Sequence, residues 1–94
     1  MHKLKAVEKQ IWDREGFDVQ FLHLEGRDVR GDRGGFPAYD RFRIRAPGRM
    51  TVARWKERRF RICYPGFKVR VLDGYACAVS PRTTLNTVRS TYAD

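Results

Sequence analysis

The sequence predicts a single small α+β domain, with one mixed or antiparallel sheet of about four strands and helices on one face. Three observations lead there. The chain has 94 residues, room for one domain and one modest core. Runs of alternating apolar and polar residues recur at 17–24, 39–46 and 67–72, and the Asp73-Gly74 turn returns the chain through an apolar strand at 75–79. Stretches with helical spacing at 52–63 and after residue 83 fall between or after them.

In the first element, Leu4, Val7 and Ile11 fit a helix over 2–12, although Val7 and Ile11 also suit a strand. Asp13-Arg14-Glu15-Gly16 has the form of a turn, with Asp first and Gly fourth. In the strand 17–24, Phe17, Val19 and Phe21 share one face, and Asp18, Gln20 and Leu22 the other. Residues 25–38 hold four glycines and a proline among charges of both signs, which predicts a mobile loop.

The strand 39–46 alternates Phe42 and Ile44 with Arg41, Arg43 and Arg45, and Pro47-Gly48 ends it. Thr51 is placed to cap a helix over 52–63 that turns Val52, Trp55, Ile62 and Cys63 to one side. Arg54, Arg58 and Arg61 share the other side. Lys56 and Arg59 fall inside the apolar arc and must snorkel. Tyr64-Pro65-Gly66 stops the helix. The strand 67–72 turns Val69 and Val71 inward, and Lys68 and Arg70 outward. Asp73-Gly74 signals a hairpin into 75–79. Thr83 or Thr84 then caps a last helix carrying Leu85, Val88 and Tyr92. No internal repeat is visible.

Charge is unevenly distributed. Residues 41–70 hold eleven basic side chains against one acid, Glu57, a local balance of +10 in a chain of +9. Trp55, Phe42, Phe60, Tyr64 and Phe67 lie in the same stretch. Cations interleaved with aromatics suit a polyanion, and nucleic acid above all. The candidate contacts are Tyr39, Arg41, Arg43, Arg45, Arg54, Arg58, Arg61, Lys68 and Arg70. On a strand, Arg41, Arg43 and Arg45 would stand roughly 6.6–6.8 Å apart beside Tyr39, close to the phosphate spacing of a backbone. The helix arginines would face away from that row, so one strand of nucleic acid cannot simply touch both.

The expected activity is therefore non-catalytic binding of DNA or RNA through backbone phosphates. The alternative is a small inhibitor or accessory subunit that docks an acidic protein. More remote is a metal-free ribonuclease toxin, with His23, Tyr39, Tyr64 or Tyr92 moving protons. Asp13, Glu15 and Asp18 read as a solvated turn rather than a metal site, and no cofactor is expected. Cys63 and Cys77 read as buried apolar thiols. Without an apolar run of membrane length or an export signal, the expected location is cytoplasmic. The open edge at 75–79 suggests a homodimer.

Overall fold

The computed structural model describes residues 1–92. Helix α1 spans Leu4–Glu15 and buries Leu4, Val7, Ile11 and Glu15. That spacing of three, four and four residues keeps one stripe on the core. Gly16 ends it in the left-handed region at φ 83°, and its amide donates to Trp12 O at 2.9 Å. Strand β1, Asp18–Leu22, follows at once and buries Val19 and Phe21.

The second helical segment starts at Thr51, whose side chain accepts from the Arg54 amide at 3.3 Å. It comprises α2 (Val52–Trp55), one π turn (Lys56–Phe60) and α3 (Arg61–Cys63). The π turn corrects the expected helix face. Its buried residues are Val52, Trp55, Phe60 and, just past its end, Tyr64, so the step from Trp55 to Phe60 is five residues. The wide turn brings Phe60 into the core and swings Ile62 out to 50% exposure. Burial of a ring such as Phe60 contributes about 2 kcal/mol, which is set against the poorer hydrogen bonding of a π turn. Strand β2 is Lys68–Leu72, and the short helix α4, Leu85–Ser90, is capped by Thr84.

β1 and β2 pair antiparallel, with Gln20 opposite Arg70 at the centre, Asp18 opposite Leu72, and Leu22 opposite Lys68. The sheet has two strands rather than about four. Residues 75–79 form no strand; they return beside β2 through the bridge Leu72↔Ala78, the bond from Val79 N to Val71 O at 3.0 Å and the bond from Asp73 N to Cys77 O at 2.9 Å. Residues 39–46 form no strand. Val19, Phe21, Val69 and Val71 face a core shared with the apolar stripes of both helical segments. On the open face, Asp18, Lys68 and Arg70 are exposed and Gln20 is partly so.

The backbone contains an internal repeat that the sequence did not show. In the first half, Leu4 N donates to Arg33 O, Lys5 N to Gly31 O, His23 N to Arg27 O, Gly26 N to His23 O and Val29 N to Phe21 O. In the second, Val52 N donates to Thr83 O, Ala53 N to Pro81 O, Asp73 N to Cys77 O, Ala76 N to Asp73 O and Val79 N to Val71 O. Strand and turn correspond at an offset of fifty residues, and the helix starts at forty-eight. The π turn and the longer linker 64–66 supply the difference. Each half is thus a helix, a strand and a returning turn. Gln20 and Arg70 are equivalent positions and also partners in the ladder, so a pseudo-twofold axis passes between them. Both turns are three-residue loops closed by a residue at positive φ, Gly26 at 98° and Ala76 at 61°.

Candidate functional site

The basic stretch is positioned by one acid. Glu15 is fully buried at the end of α1. Its Oε2 accepts from the Tyr39 hydroxyl at 2.6 Å, Trp55 Nε1 at 3.2 Å and Arg59 Nη1 at 2.8 Å. Its Oε1 accepts from the Ala46 amide at 2.8 Å and Arg89 Nη2 at 3.4 Å. Arg89 Nε also donates to Glu15 O at 2.6 Å, satisfying a carbonyl at the helix end. Five donors and two guanidinium charges satisfy the buried carboxylate. Burial, with the charge of Arg45 added, lowers the Arg89 pKa.

This hub explains why 39–46 is not a strand. The segment is fastened at both ends to Glu15, through Tyr39 and Ala46. Between them, Arg59 Nη1 donates to Ile44 O at 2.8 Å, and Arg14 Nη1 to Arg43 O at 2.6 Å. Ile44 is 73% exposed, so the apparent alternation does not mark a core face. Phe42 lies under the Arg59 guanidinium at 4.4 Å.

The expected row of Arg41, Arg43 and Arg45 beside Tyr39 is therefore not formed. All three arginines are exposed, but Arg41 lies by Asp40 and Cys63, while the Arg45 guanidinium lies against Gly16. Tyr39 is only 4% exposed and engaged with Glu15, so it offers no stacking face. The helix set also divides. Arg54 and Arg58 share a shallow depression with Arg49. Arg61 instead lines a cleft with Lys56 and Lys68, floored by Leu24, Phe60 and Phe67. Arg70 stands on the open sheet face opposite Gln20.

Lys56, Arg49, Leu24 and Phe67 were missed as site residues. Lys56 carried a signal, a charge within an apolar arc. It sits half-sunk beside the π turn, and burial lowers its ammonium pKa. The tyrosines considered for proton transfer are shifted away from neutrality. Burial raises the pKa of Tyr39, Tyr64 and Tyr92, and the bond to Glu15 adds to the effect at Tyr39. His23 lies just past the end of β1, with its ring 6.0 Å from that of Phe67. Both cysteines are free, and contrary to expectation Cys77 is exposed and Cys63 only partly buried. Among the described residues, no helix is long and apolar enough to cross a membrane. Compared with family models, curated proteins and solved structures, the chain matches none.

Proposed function

We propose that the protein is a small basic binding module whose partner is nucleic acid, held through its backbone phosphates. One observation carries this reading. Of the eleven basic residues between 41 and 70, only Arg59 makes an ion pair among the described residues. The others have no ion-pair partner among the described residues, and two groups of three line concave surfaces: Arg49, Arg54 and Arg58, and Lys56, Arg61 and Lys68. Repulsion among like charges disfavours the compact state, and a polyanion relieves it. The shifted tyrosines favour binding over proton-transfer catalysis.

The test is a salt titration of binding to DNA, RNA and heparin. Affinity should fall steeply with salt, with a log–log slope of about −0.9 per phosphate neutralised on duplex DNA and about −0.7 on a single strand. Absence of binding to all three at about 50 mM salt would sink the reading and turn attention to an acidic protein partner.

A further inference from the structure

The pseudo-twofold axis allows the two halves to be compared as sites. The cleft holding Lys56, Arg61 and Lys68 has a volume of about 340 Å³. That is the scale of a small-ligand pocket. Its counterpart across the axis replaces Lys56 with Glu8, Arg61 with Trp12 and Lys68 with Asp18. Two cations become acids. The counterpart is also filled. The Tyr92 ring meets Trp12 edge-on at 5.0 Å between centroids. Its hydroxyl accepts from the Asp18 amide at 3.0 Å and donates to Leu72 O, between two strand ends that face each other in the ladder.

The residue fifty positions before Tyr92 is Phe42, which packs under Arg59 and beside Tyr39 instead. The basic cleft therefore stays open where its counterpart takes an aromatic ring. Its walls carry three cations without an ion-pair partner among the described residues, and its floor is apolar. An aromatic ring attached to a phosphate chain matches both features.

We propose that this cleft receives one unpaired nucleotide. Its base occupies the place that Tyr92 takes in the counterpart, and its flanking phosphates meet Lys56, Arg61 and Lys68. The protein then selects single-stranded over duplex nucleic acid, because a paired and stacked base cannot enter without being extruded. This inference rests on the polyanion reading above.

The experiment is fluorescence anisotropy with a labelled oligonucleotide, single-stranded and as a duplex of the same sequence, at fixed salt. The single strand should bind at least about ten-fold more tightly, on the scale of one stacked base. Lys56→Glu with Lys68→Asp gives the cleft the charges of its counterpart and should abolish that preference. Leu24→Ser, at a floor residue that is 60% exposed, should narrow it without risk to the core. Arg54→Gln with Arg58→Gln should weaken both forms alike and keep their ratio. Equal binding of both forms by the wild-type protein, or an unchanged ratio in the cleft variants, overturns the cleft and leaves the polyanion reading standing. Failure to bind either form overturns both.

Discussion

Glu15→Ala is the most severe test of how the basic stretch is held. The substitution removes the carboxylate that five donors share, leaving Arg59 Nη1 only Ile44 O and Trp55 Nε1 only the Tyr39 hydroxyl. Two belong to arginines whose side chains are only 11% and 14% exposed. Removing one partner of a buried ion pair costs about 3–5 kcal/mol, chiefly through the charge left behind. A domain of this length has a total stability of roughly 5–14 kcal/mol, so the loss is about a fifth of it or more. Each kcal/mol lowers Tm by roughly 4–8 °C at this size, which puts the midpoint at least about 12 °C below that of the wild type. Glu15→Gln keeps the volume and loses the charge, and should fall between the two. The assay is urea unfolding followed by fluorescence, since the Trp55 indole itself donates to Glu15. Trypsin supplies a second readout, because releasing 39–46 exposes the backbone after Arg41, Arg43 and Arg45. A Glu15→Ala protein within about 1 kcal/mol of wild type, equally resistant to trypsin, would refute the reasoning.

Four further outcomes follow. Ala76→Gly should stabilise the protein by about 0.5–1 kcal/mol, measured by thermal melting, because alanine pays for its left-handed conformation and glycine does not. Burial raises the Glu8 pKa, opposed by a backbone hydrogen bond from Phe21 and reinforced by Asp18. A folded value above the unfolded 4.5 means that Glu8's own contribution to stability is fully present below pH 4.5 and is lost as pH rises through the folded value, so Glu8→Gln should remove that component from melts across the acid range. Arg54→Gln with Arg58→Gln should lower the duplex salt slope by up to about 1.8, whereas Arg41/Arg43/Arg45→Gln, now without a common row, should lower it less than three shared contacts imply. If the exposed edge at 75–79 pairs two chains, light scattering should report twice the monomer mass; a monomer at every concentration removes that edge from consideration.

Features set by near neighbours were legible in the sequence. The stripe Leu4, Val7 and Ile11, the inward pairs Val19/Phe21 and Val69/Val71, and the Thr51 cap all follow from local spacing and short-range hydrogen bonds, and of the two caps open to the last helix, Thr83 and Thr84, the structure uses Thr84. The segment 39–46 was not legible, because its conformation is set by Glu15, more than twenty residues upstream. An arginine between each apolar residue imitated a strand. The π turn was hidden because Phe60 and Ile62 compete for the same face, and the choice falls to the core around Trp55. The repeat escaped notice because few side chains keep their identity across the strand and turn: Phe17 and Phe67, Val19 and Val69, Leu22 and Leu72, Val29 and Val79. The backbone bonds repeat where most side chains differ. Of the basic cleft, the sequence showed Arg61 and Lys68 as cations but not their convergence with Lys56, which depends on the π turn.

The axis between Gln20 and Arg70 also sets an order of assembly. Within each half, the helix, strand and returning turn lie close along the chain, and their bonds can form early. The ladder joins residues about fifty positions apart, and closing a loop of that length costs about 3.5 kcal/mol in chain entropy beyond a constant. Folding should therefore end with the docking of two preformed halves, and its rate should respond more to the length of the linker 37–50 than to changes in either turn. The residues at the axis also decide which halves may dock. Two second halves from different chains would set Arg70 directly against Arg70, a like-charge pair across the strands. A first half offers Gln20 instead. The chain thus carries, at the ladder position where the repeat meets its own equivalent, a charge that opposes the pairing of two second halves and favours the pairing of a second half with a first.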